Sequence, residues 1–78
     1  MLSPITVDPD IQFGTPVFSG TRVPVESLFW HLESGISIDD FLDDFPSVTR
    51  EQVVAVLELA GKAFSTGKML PLLYEIAD

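Results

Sequence analysis

A chain of 78 residues and 8.6 kDa has room for one small domain, and the lack of cysteine excludes disulfides and thiolate metal sites as its stabilisers. Four basic residues against twelve acidic ones give a net charge of -8 and a pI near 4.2. That balance argues against a protein whose affinity rests on neutralising phosphates.

The first 24 residues hold four of the six prolines (Pro4, Pro9, Pro16, Pro24) together with Gly14 and Gly20. Proline fixes φ and removes a backbone donor, so this stretch is no helix and no central strand. Between the breaks lie β-prone runs, Ile5-Thr6-Val7 and Val17-Phe18, separated by the turn signal Asp8-Pro9-Asp10. They predict a small two-stranded ribbon, which must pack on helices or pair with a second chain.

From residue 25 the pattern turns helical. Val25, Leu28, Phe29 and Leu32 recur at i, i+3, i+4 and i+7, and Gly35 stands where a C-terminal cap glycine belongs. A second helix opens on the S-x-x-D cap Ser37 to Asp40, carries the stripe Ile38, Phe41, Leu42 and Phe45, and stops at Pro46. A third opens on the T-x-x-Q box Thr49 to Gln52, with Val53, Val56, Leu57, Ala60 and Phe64 as its inner stripe. The reading is a mainly α fold: three helices compatible with a helix-turn-helix, a small N-terminal β-ribbon, and a tail. The ribbon and helices fill residues 1–64, and residues 65–78 form the tail. Met69, Leu70, Leu72, Leu73, Tyr74 and Ile76 make that tail apolar, so it is expected to fold against something, its own chain or another.

Several residues fit a monomer poorly. Trp30 falls about 140° from Val25 on a helical wheel, opposite the apolar stripe of the first helix. It either covers the ribbon or meets another subunit, where tryptophan is enriched. Val54 and Leu59 flank the inner stripe of the third helix on opposite sides, which widens its apolar arc and implies contacts on more than one side. With 46% hydrophobic residues and a mean hydropathy of +0.34, the chain is expected to form a homodimer or to hold an obligate partner. A basic protein suits its field better than a nucleic acid does.

Catalytic and metal readings find little support. Asp39, Asp40, Asp43 and Asp44 share the polar face of the second helix, which reads first as a solvated face, then as a docking patch, and only remotely as a metal or acid–base site. His31 is the one histidine, no nucleophile constellation accompanies it, and Gly14 and Gly20 have the wrong spacing for a phosphate loop. No enzyme, no metal and no cofactor is expected. For nucleic acid the candidates are Arg22 in the ribbon and Thr49, Arg50 and Gln52 on the first turn of the third helix, where a recognition helix meets base edges. The competing reading makes Thr49 and Gln52 a helix cap and lets Arg50 offset nearby aspartates. No apolar run approaches the ~18 residues of a membrane span and no signal segment opens the chain, so a cytoplasmic protein without a membrane partner is expected.

The run Gly14-Thr15-Pro16-Val17-Phe18-Ser19-Gly20-Thr21-Arg22-Val23-Pro24-Val25, continued by Glu33-Ser34-Gly35-Ile36-Ser37, Phe45-Pro46-Ser47-Val48-Thr49 and the helix Glu51 to Ala60, resembles the bacterial domain of unknown function 433 family, which is VapB-like. The resemblance implies a winged-helix-like trihelical fold, usually dimeric. It also implies the antitoxin role in a type II toxin–antitoxin pair: blocking a PIN-like ribonuclease toxin, with autorepression of the operon as a second possibility. On this expectation the apolar tail anchors a basic toxin, and the alternative is a DNA-binding regulator. Thr15 and Ser19 are neutral where members of the family often carry a basic residue, which weakens the DNA-binding part.

Overall fold

The computed structural model describes residues 3–65; residues 1, 2 and 66–78, and with them every tail residue named above, lie outside the described part. Strand β1 (Ile5–Thr6) pairs antiparallel with β2 (Val17–Phe18), Ile5 opposite Phe18 and Thr6 opposite Val17. A single 3-10 turn (Gln12–Gly14) lies between them, and three helices follow: α1 (Glu26–Glu33), α2 (Ile38–Asp44) and α3 (Arg50–Ser65). The chain is therefore mainly helical with a small N-terminal sheet, as its patterning predicts. Val7 drops out of the strand and is exposed.

The ribbon is short because its turns satisfy the backbone in its place. Between Phe18 and Val23 the chain closes a loop: the Phe18 N–H donates to the Val23 carbonyl and the Thr21 N–H to the Phe18 carbonyl, both at 3.0 Å. The Thr21 hydroxyl also donates to the Phe18 carbonyl, at 2.7 Å, and accepts the Val23 N–H at 3.0 Å. Gly20 takes φ +78 in this loop, a left-handed conformation that side-chain-bearing residues rarely adopt. Pro24 then bridges back to Val17 and delivers the chain to α1, which starts without a side-chain cap.

The other helix ends follow their local chemistry. At the end of α1 the Ile36 N–H donates to the His31 carbonyl (2.9 Å) and the Gly35 N–H to the Leu32 carbonyl (3.0 Å), with Gly35 at φ +79. These two bonds make a Schellman cap. Ser37 caps α2, its hydroxyl accepting the Asp40 N–H at 3.1 Å. Thr49 and Gln52 form a reciprocal capping box: the Gln52 N–H donates to Thr49 Oγ1 (3.1 Å) and the Thr49 N–H to Gln52 Oε1 (3.0 Å).

The ribbon and the helices close on one core. Phe18, Val25, Leu28, Phe41, Val48, Val53 and Val56 are buried in it, and Phe29, Leu32, Ile38, Leu42, Phe45 and Leu57 pack on its edges. Phe18 carries β2 into the middle, its ring 6.1 Å from that of Phe41, which lies 4.9 Å from Phe45. His31 of α1 sets its imidazole edge-on to both Phe41 (5.2 Å) and Phe45 (5.5 Å), and its Nδ1 donates to the Ser27 carbonyl at 2.6 Å. His31 is thus a packing residue between α1 and α2.

Phe64 departs from expectation. Its spacing placed it on the inner stripe of α3, yet it is 56% exposed, and no residue of α3 beyond Val56 is fully buried. Periodicity identifies the face of a helix; it carries no information on how far the neighbours reach along it. α3 has 16 residues against eight and seven in α1 and α2, so its later turns extend past them.

Candidate interaction surface

Thr49, just before α3, and Gln52 in its first turn are engaged in contacts within the fold. The Thr49 side chain and one end of the Gln52 amide complete the capping box, and the other end, Gln52 Nε2, donates to the Ser19 carbonyl at 2.8 Å. Ser19 is itself a junction. Its N–H donates to the Pro4 carbonyl (3.0 Å) and its hydroxyl to the Ser3 carbonyl (2.7 Å). With that proton engaged, Ser19 Oγ can only accept from Thr6 Oγ1, 2.9 Å away. Gln52 therefore fastens α3 to the ribbon, a contact across 33 positions of chain that helical patterning could not announce.

Arg50 pairs its guanidinium with the carboxylate of Asp39 on α2, so one of the four helix-two acids is matched. Arg22 is exposed and makes no hydrogen bond or ion pair with a described residue. Asp40 and Asp43 are exposed on α2, and Asp44 comes within 3.9 Å of His31 Nε2, beyond hydrogen-bond length. Among the described residues no three histidines or carboxylates gather as a metal site, and no helix is long and apolar enough to cross a membrane.

The apolar surface is more distinctive. Trp30 is 55% exposed on α1, and Val54 and Leu59 stand out from α3 at 44% and 46%. Leu59 lines a shallow groove with Pro4, Ala55, Glu58 and Lys62. Through Pro4 and Ala55 this groove continues into a larger one, about 460 Å3, between the N-terminal segment and α3, where Ser19, Glu51 and Gln52 form the polar side. A separate apolar hole of about 310 Å3 opens between the ribbon and α1, walled by Thr15, Pro16, Val25, Glu26 and Phe29.

One residue was missed altogether by sequence reasoning. Phe13 is fully exposed, at 100%, and its backbone is left-handed at φ +57, between Gln12 at +49 and Gly14 at +85. The turn is held by backbone bonds from Ile11 to Asp8, Gly14 to Ile11 and Thr15 to Gln12, and by the Asp8 carboxylate, which accepts the Asp10 N–H at 2.8 Å. Aromatic residues seldom take this conformation, so nothing in Gln12-Phe13 signals it.

Three helices on a two-stranded ribbon, with exposed acids on α2 and isolated exposed apolar side chains, define a small, mainly helical domain. A family described as "Protein of unknown function (DUF433)" matches residues 5–60, and the chain belongs to that family. It is 41% identical over 49 residues to the uncharacterized protein y4eO of Sinorhizobium fredii (strain NBRC 101917 / NGR234). That match takes in 63% of this chain but spans only 22% of the relative's length. Its fold is similar to the crystal structure of a DUF433 member from Anabaena variabilis ATCC 29413, with a TM-score of 0.63 and 26% identity over 97% of this chain and 70% of that one.

Proposed function

We propose that this chain is the antitoxin-like member of a toxin–antitoxin pair, a protein-binding module that blocks a basic, PIN-like ribonuclease and performs no chemistry itself. What supports this reading is the use made of the helix-three cluster. Thr49 and Gln52 are engaged in a cap and a tether, and Arg50 is matched by Asp39. Of the four candidates for reading bases or phosphates, Arg22 alone makes no hydrogen bond or ion pair with a described residue. The surface around them is acidic, with a net charge of -8 for the chain, which steers a basic protein toward it and repels a phosphate backbone. A helix-turn-helix use of α2 and α3 on DNA is the weaker reading for the same reason.

The test is co-expression with the protein encoded in the adjacent reading frame. That protein alone should arrest growth and degrade RNA, and this chain should relieve both. An adjacent product without toxicity, or toxicity that this chain leaves unrelieved, overturns the assignment.

A further inference from the structure

We infer that the outward face of α1, formed by Glu26, Trp30 and Glu33, is a docking site for an arginine side chain of a partner protein, the guanidinium stacking on the indole and pairing with the carboxylates beside it.

The face follows from helical spacing. Glu26, Trp30 and Glu33 stand at i, i+4 and i+7 and share an arc of about 60°. The core contact of the same helix, fully buried Leu28, lies about 160° from Trp30. Trp30 is 55% exposed, and both glutamates are exposed. Neighbours at these spacings are about 5–6 Å apart at Cβ, so either carboxylate reaches a group lying on the indole.

The fold itself makes no use of this arrangement. Neither carboxylate nor the indole N–H has a hydrogen bond or ion pair with a described residue, and the indole touches no described ring. No lysine or arginine occurs on α1 or α2, and Arg50 of α3 is matched by Asp39. Glu33 is also the last residue of α1, at the negative end of the helix dipole, where a carboxylate is disfavoured. An acid placed against the dipole, with no described partner, contributes nothing to the helix that carries it.

Charge complementarity selects the occupant. The face of an indole attracts a cation, and two carboxylates flanking it deepen that attraction. An apolar segment would leave both carboxylates without a counter-charge, and a phosphate or an acidic peptide would be repelled. Arginine fits better than lysine, because its flat, weakly hydrated guanidinium can stack on the ring while its edge N–H groups bond a carboxylate. This inference deepens the protein-binding reading above and rests on it. It assigns that binding to a face of α1 that includes none of Thr49, Arg50 and Gln52.

The test uses the full chain with labelled hexa-arginine and hexa-lysine peptides, followed by fluorescence anisotropy at about 0.15 M sodium chloride, where long-range attraction is screened. The expected result is tighter binding of hexa-arginine, with quenching of Trp30, the one tryptophan. Trp30→Ala should weaken hexa-arginine about fivefold and erase its advantage over hexa-lysine, with the melting curve unchanged. The double variant Glu26→Gln, Glu33→Gln should lose about as much, whereas Asp40→Asn, Asp43→Asn, which removes the same charge from α2, should keep the preference for arginine. Equal affinity of the wild-type chain for both peptides overturns the inference. So does a preference that survives Trp30→Ala, or an equal loss in the two double variants. Trp30 emission that shifts with protein concentration in the absence of peptide gives the face to a second copy, and overturns it too. If the peptide results hold and toxicity of the adjacent gene product is not relieved, the toxin assignment fails alone; if toxicity is relieved and the peptides show no preference, the arginine site fails alone.

Discussion

Gln52 Nε2 donates to the Ser19 carbonyl at 2.8 Å while Oε1 of the same side chain accepts the Thr49 N–H at 3.0 Å. One amide therefore closes the N-terminus of α3 and ties it to the ribbon. Only a side chain that both donates and accepts can do this. It explains how a sheet of two-residue strands holds its place on three helices: Ser19 sits at the end of β2, and α3 grips it from the other side.

Gln52→Ala removes both contacts and should lower the unfolding free energy by about 1–2 kcal/mol, the sum of a cap and a partly buried hydrogen bond. Gln52→Glu keeps the acceptor for the Thr49 N–H and loses the donor to Ser19, so it should fall between Ala and wild type. Urea denaturation of the three proteins measures this. If Glu is as stable as Gln, the tether to Ser19 contributes nothing.

Phe41 is the aromatic on which β2, α1 and α2 converge, with Phe18, His31 and Phe45 all in ring contact and no exposure of its own. Phe41→Ala leaves a cavity that three elements line and should cost about 3–5 kcal/mol. A domain of this size has a total stability of about that order, so the variant should be largely unfolded at room temperature by circular dichroism. A cooperative melt near that of wild type would show that the core does not depend on this ring.

Two glycines should respond to alanine with opposite signs. Gly61 lies inside α3 in open space, with no atom within 4 Å of where a Cβ would stand, so Gly61→Ala should stabilise by about 0.5–1 kcal/mol. Gly35 has the same open surroundings but sits at φ +79 in the Schellman cap, and Gly35→Ala should destabilise by about 1 kcal/mol. Thermal melts decide both, and a shared sign would mean that backbone conformation is not what separates them.

What could be read from the residues was whatever the chain settles within a turn or two of itself. Ser37 with Asp40, Thr49 with Gln52, and Gly35 after α1 are local chemistry, and each cap forms where its spacing puts it. The stripes around Leu28, Phe41 and Val53 are legible for the same reason, because burial on one face leaves a period in the sequence. The far half of Gln52 was not legible, since its partner lies 33 residues away and any backbone carbonyl would serve. Phe13 was hidden because its conformation is dictated by the bonds around it and not by its own preference. Phe64 misled because the outer half of α3 continues the apolar period where no described residue buries it.

Arg50 separates the two functional readings. Its side chain is 56% exposed and that of Asp39 74%, and an exposed ion pair contributes only about 0–1 kcal/mol. Arg50→Ala should therefore leave the melting transition almost in place, so any change it makes in binding is a change at the surface. If the chain acts on proteins through its acidic face, the wild-type protein will retard no DNA from upstream of its own reading frame, even at low salt, and Arg50→Ala will still relieve the toxicity of the adjacent gene product. If α3 reads DNA, the wild-type protein will bind that DNA with an affinity that falls steeply with salt, and Arg50→Ala will abolish the shift while remaining folded. Asp39→Asn sharpens the comparison. Freeing Arg50 from its carboxylate should strengthen binding to phosphate, and on the protein-binding reading it should remove one acid from the docking face and weaken the complex instead.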